Sequence, residues 1–193
     1  MMRLLAKLIL ALAGWKIKAH YSDEMRRSVI IQAPHTSNWD FFIGKLGFVS
    51  KGIPVRFLIK KEAFRFPLGP LVRALGGIPV DRSHSSNLVP QIAAMYREHE
   101  ELMIVITPEG TRKLNRNWKK GFYYIASMAQ VPIVLGYLDY GKKEGGLGPV
   151  FHPTGDYEAD LRRIEDFYRD KTARHPEKFN LSQQRDDPEA VGR

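Results

Sequence analysis

The sequence contains no cysteine. Disulfide scaffolds, cysteine-ligated zinc, iron–sulfur clusters and thiol nucleophiles are therefore excluded, and the redox compartment stays open. Long hydrophobic runs are also missing. The closest approach is residues 8–15, uncharged between Lys7 and Lys16, against about 20 residues for a membrane-spanning helix. No cleavage pattern of small residues follows it, as a signal peptide would require. There is no Walker A loop, no Gly-x-Gly-x-x-Gly fingerprint, no Gly-x-Ser-x-Gly elbow and no nucleic-acid-binding motif. His84, His99, His152 and His175 lack ligand spacing or a nearby carboxylate, so no metal site is expected.

Acidic residues are in deficit, 21 against 30 basic ones, for a net charge of +9 over 193 residues. A surplus of that size calls for an anionic partner: nucleic acid, an anionic membrane or a phosphate-bearing substrate. The charge is concentrated. Residues 1–20 hold Arg3, Lys7, Lys16 and Lys18 and no acid, and residues 112–120 hold five bases and no acid. Residues 51–82 hold seven bases and two acids. The first stretch reads as a basic amphipathic helix ending near Trp15, suited to a membrane interface with its lysines toward phosphates. The same residues also suit an ordinary surface helix packed on its own domain.

With 44% apolar and 26% charged residues the chain is globular, and its length suits one domain. Strands are expected over 29–33, 55–59, 78–80, 102–106 and 133–137. Helices are expected over 38–50, 86–101, 122–130 and 158–171, with a broken helix over 62–75. The strands are continuous apolar runs alternating with helices, which predicts an α/β fold: a mostly parallel central sheet flanked by helices, with a short amphipathic N-terminal helix. The expected organisation is an interface helix over 1–20, a folded domain over 21–175 and a polar tail over 176–193.

Sites in such sheets form at the carboxyl ends of strands. After the first strand comes Pro34-His35-Thr36-Ser37-Asn38-Trp39-Asp40. On one regular helix a five-residue step is a rotation of about 140°, so His35 and Asp40 cannot share a face. They meet if His35 lies just before a helix and Asp40 in its first turn, with Thr36, Ser37 or Asn38 as cap. Asp40 would then accept from Nδ1, leaving Nε2 free as a base. In isolation the motif reads as a capping histidine and a helix-start aspartate with no catalysis. After the 102–106 strand comes Thr107-Pro108-Glu109-Gly110-Thr111-Arg112. Gly110 permits an unusual turn, Arg112 suits a phosphate, and Glu109 could orient Arg112 or hold a hydroxyl. Lys60 and Arg82 follow two further strands and could converge with Arg112 on one anion.

The order of these pieces carries more than any one of them. His35-Thr36-Ser37-Asn38-Trp39-Asp40, Phe57-Leu58-Ile59-Lys60-Lys61-Glu62, Gly77-Ile78-Pro79-Val80-Asp81-Arg82, Pro108-Glu109-Gly110-Thr111-Arg112 and Val131-Pro132-Ile133-Val134 together resemble the glycerolipid acyltransferases of the 1-acylglycerol-3-phosphate acyltransferase type. The resemblance covers residues 29–137. It implies transfer of a fatty acyl chain from acyl-CoA or acyl carrier protein to a lysophospholipid hydroxyl, without metal or cofactor. His35 would be the general base, held by Asp40. Glu109, Gly110, Thr111 and Arg112 would bind the acceptor, with Lys60 and Arg82 adding to phosphate binding. It further implies a peripheral enzyme on the cytoplasmic face of an anionic membrane, with no nucleic-acid partner. Two other readings fit parts of the pattern: a non-catalytic basic module binding membrane or nucleic acid, and a thioester hydrolase using the same His–Asp pair.

Overall fold

A computed structural model describes residues 1–81 and 88–181. Arg82 and His84, and residues 182–193 of the expected tail, lie outside them. The chain runs α1 (Met2–Leu12), β1 (Lys16–Lys18), β2 (Arg27–Ala33), α2 (Asn38–Lys51), β3 (Val55–Lys60), α3 (Gly69–Ala74) and β4 (Gly77–Val80). It continues through α4 (Leu88–Glu98), β5 (Leu102–Ile106), α5 (Gly121–Ala129), β6 (Ile133–Asp139), β7 (Glu144–Phe151) and α6 (Tyr157–Tyr168). The seven strands form one sheet in the order β1-β7-β6-β2-β5-β3-β4. All neighbours are parallel except β6 and β7. The fold is thus the α/β arrangement that the apolar strands called for.

The reason lies in alternate side chains of buried strands. Val29, Ile31 and Ala33 of β2 face a core built from Ile92 and Tyr96 of α4, Phe122 and Ile125 of α5, and Ile164 and Tyr168 of α6. Ile30, between them, faces the opposite layer with Phe48 of α2, Val55, Met103 and Val105. Both faces of the central strands are therefore covered, and neither needs a polar set.

Two strands had no apolar run to mark them. β1 is three residues of which the lysines are exposed, and β7 contains three glycines and a proline. Their pairing explains one of the glycines: a Cβ at Gly146 would sit 1.9 Å from the carbonyl oxygen of Lys18. α1 packs against α2 through Ala6 and Leu10 and leaves Leu4, Leu5, Leu8, Ile9 and Leu12 exposed. At the other end, Leu181 is buried in the main core beside Phe179, and Trp118 Nε1 donates to Asn180 O at 3.3 Å. Residues 179–181 are therefore part of the packed body.

Candidate active site

β2, β5 and β3 run parallel and deliver their C-terminal loops to one end of the sheet. From β2 the chain turns at Pro34, and Ser37 caps α2 with its Oγ accepting from Trp39 N at 3.2 Å. Asp40 falls at the third helical position and accepts back from the cap, a capping box. The same carboxylate that closes the helix start is thereby turned toward His35, whose Nδ1 lies 3.4 Å from Oδ2. Oδ2 also accepts from Thr36 N at 2.7 Å and Ser37 N at 2.8 Å, and Oδ1 accepts from Tyr140 OH at 2.6 Å. Burial would raise the Asp40 pKa. The donors on it — His35, Tyr140 and the two backbone amides — outweigh burial and hold it below its ordinary value. A charged Asp40 fixes Nδ1 as the protonated nitrogen and leaves Nε2 to act as a base.

Glu109 approaches His35 from the β5 loop. It is 3% exposed, and Oε1 accepts from His35 N at 2.9 Å. Its Oε2 has no hydrogen-bond partner among the described residues. Burial pushes its pKa up to about 7. The loop beyond it is folded on itself: Asn115 Nδ2 donates to Glu109 O at 2.7 Å, and Lys119 N to Pro108 O at 2.8 Å. Gly110 has φ +66°, and a Cβ there would lie 2.7 Å from the Lys119 side chain. The lysine can therefore cross the turn only because residue 110 has no side chain.

These loops open onto a cavity of about 680 Å³ that includes His35, Asp40, Gly110 and Arg112 in its lining. Its walls are mainly apolar. Phe41 and Phe48 of α2 with Phe57 and Val105 line it on one face of the sheet. Leu58, Ile92, Ile106, Phe122 and Ile125 line it on the other. Lys45, Arg112 and Lys119 are its cationic lining residues, and Asp40 its single carboxylate among the described residues. Gln32 adds a buried carboxamide whose Nε2 has no hydrogen-bond partner among the described residues. No cluster of three metal-ligating side chains occurs among the described residues.

The structure brings His35, Asp40, Gly110 and Arg112 together at one cavity. Glu109 stands behind His35 rather than in the lining, and Thr111 and Lys60 are outside it as well. Arg82 lies outside the described residues. Sequence reasoning does not single out Lys119, Lys45, Gln32 or Tyr140. Lys119 belongs to the acid-free run 112–120, a usable signal. Tyr140 is 100 residues from Asp40 with no motif around it.

Comparison with known proteins places the chain in a family. The family model described as "Acyltransferase" matches residues 16–135. The human 1-acyl-sn-glycerol-3-phosphate acyltransferase beta is 36% identical over 121 residues, covering 58% of this chain and 41% of that protein. The chain thus aligns with about two fifths of that relative's length. The crystal structure of the Thermotoga maritima 1-acyl-sn-glycerophosphate acyltransferase, PlsC, superposes with a TM-score of 0.55 over 86% of this chain and 75% of that one, at 15% identity, which establishes a shared fold. With the family model spanning well over half of its residues, the chain belongs to the acyltransferase family.

Proposed function

We propose that this chain is an O-acyltransferase that moves a fatty acyl group from an acyl thioester, on coenzyme A or acyl carrier protein, to the hydroxyl of a lysophospholipid such as 1-acylglycerol-3-phosphate. The observation that carries the proposal is the His35–Asp40 pair at a largely apolar cavity whose lining also holds Arg112 and Lys119. A soluble-substrate site would not need such walls, and a lipid-binding module would not need the pair.

In this reading His35 Nε2 takes the proton of the acceptor hydroxyl, and Asp40 stabilises the imidazolium that forms. The alkoxide oxygen attacks the thioester carbonyl, giving a tetrahedral oxyanion. The C–S bond then breaks, and the thiolate recovers the proton from His35. No acyl-enzyme is needed. Arg112 and Lys119 hold the acceptor phosphate, and the apolar walls hold acyl chain. Glu109 acts from behind by fixing the backbone of His35.

The exposed face of α1, with Arg3 and Lys7 beside it, is proposed to rest on an anionic membrane surface. No helix among the described residues is long and apolar enough to cross one. Replacing Leu8 and Leu12 by Asp is expected to abolish co-sedimentation with anionic vesicles; retained binding would reject the assignment.

The test of the reaction is lipid mass spectrometry after incubation with mixed acyl-CoAs, acyl carrier protein thioesters and a lysophospholipid panel. Acylated phospholipid should appear, and His35→Ala should reduce it by about 10²–10⁴-fold. Free fatty acid without acceptor consumption would make the protein a hydrolase instead.

A further inference from the structure

The two oxygens of Asp40 are held from opposite sides. Thr36 N, Ser37 N and His35 Nδ1 all converge on Oδ2. Tyr140 OH, at 2.6 Å, is the one donor to Oδ1 among the described residues. A carboxylate held by one oxygen alone can still rotate about its terminal torsion, which is broad and roughly two-fold. The plane of the carboxylate, and with it the direction in which it presents Oδ2 to the imidazole, needs the second anchor.

Tyr140 is itself fixed. It directly follows β6, and its backbone N donates to Thr172 O at 2.8 Å. Trp15 meets its ring edge-on, with centroids 5.0 Å apart and planes at 89°. Leu10, Ile43 and Leu138 pack around it, and the Arg174 guanidinium lies over its ring, 5.8 Å from the centroid. Burial and the bond to Asp40 raise the tyrosine pKa well above its ordinary value, so the hydroxyl stays a donor.

We infer that Tyr140 is a positioning residue for the His35–Asp40 pair, and that the N-terminal segment takes part in the site by setting Tyr140 through Trp15. The inference rests on the acyl-transfer reading. It gives the α1–β1 segment a role in the chemical step apart from any contact with lipid.

The test is a kinetic cycle on the full chain, with the donor–acceptor pair found in the lipid panel and rates taken per folded molecule from the thermal melt. Tyr140→Phe keeps the ring and removes one hydrogen bond to a charged group. It should lower kcat about tenfold and leave both KM values unchanged. Trp15→Leu should lower kcat about threefold, and Trp15→Phe should recover at least half of that loss. The double variant Trp15→Leu/Tyr140→Phe should match Tyr140→Phe alone, because Trp15 acts through the hydroxyl. A wild-type kcat in Tyr140→Phe, or a loss expressed as raised KM, overturns the positioning role. Full additivity in the double variant overturns the link to Trp15. His35→Ala, run alongside, separates the two levels: full activity there sinks the acyl-transfer reading and this inference with it.

Discussion

Asp40 and Glu109 are both carboxylates, both buried and both in contact with His35, yet their surroundings drive them apart. Asp40 sits at a helix start and collects donors on both oxygens, so it is held charged. Glu109 sits on a loop after an apolar strand; its Oε1 accepts from His35 N, its Oε2 has no partner among the described residues, and burial raises its pKa to about 7. Residue type does not assign the roles; the number of donors does. The charged carboxylate faces the ring that must become an imidazolium, and the easily neutralised one holds the backbone of the same residue.

The sharpest way to break this contrast is Asp40→Asn. It removes the charge opposite the imidazolium, and activity should fall by roughly 10³-fold or more; a loss below tenfold in steady-state assays would contradict the assignment of Asp40.

Next comes the pH dependence of stability. The Glu109 pKa is raised on folding, so the folded chain holds the proton more tightly than the unfolded one. That preference stabilises at low pH and is lost as pH rises from about 4.5 through about 7. Relative to Glu109→Gln, the wild type should lose about 3 kcal/mol over this window, read as melting temperature against pH. Asp40 works the other way. Its pKa is lowered, so its contribution is present above the ordinary aspartate range and is lost as pH falls through its folded value. A flat difference between wild type and Glu109→Gln would remove the contrast.

Two smaller substitutions probe the loops themselves. Gly110→Ala places a side chain at φ +66° and against Lys119. It should cost roughly 1–2 kcal/mol of stability and raise the acceptor KM several-fold in the same assay. Ser37→Ala removes the cap of α2 and should cost about 1 kcal/mol, seen as a melting temperature lower by roughly 2–4 °C, with activity retained.

The contrast also marks how far the sequence could be read. β5 was legible to the residue because Leu102–Ile106 is an unbroken apolar run between charged residues and a proline. α2 was legible because cap residues precede an apolar segment. β7 was not, since glycine and proline are poor strand signals and Gly146 is required by close approach to the backbone of β1. α6 ends at Tyr168, three residues before the sequence pattern does, as the charged Arg169–Lys171 turn continues that pattern without the helix. Within the site, the family resemblance implies Glu109 at the acceptor and its place beside Arg112 suits a polar turn; only packing reveals that its side chain is buried against the backbone of His35.

The sequence by itself determined that His35 lies just before a capped helix start and Asp40 in its first turn, where local geometry allows the two to meet. It also determined the parallel sheet, because continuous apolar strands need cover on both faces. Tertiary structure alone decided which carboxylate stays charged, which lysine crosses Gly110, and that Tyr140 reaches Asp40. Those contacts join residues far apart in the chain, and burial, which sets their protonation, is a property of the packed whole.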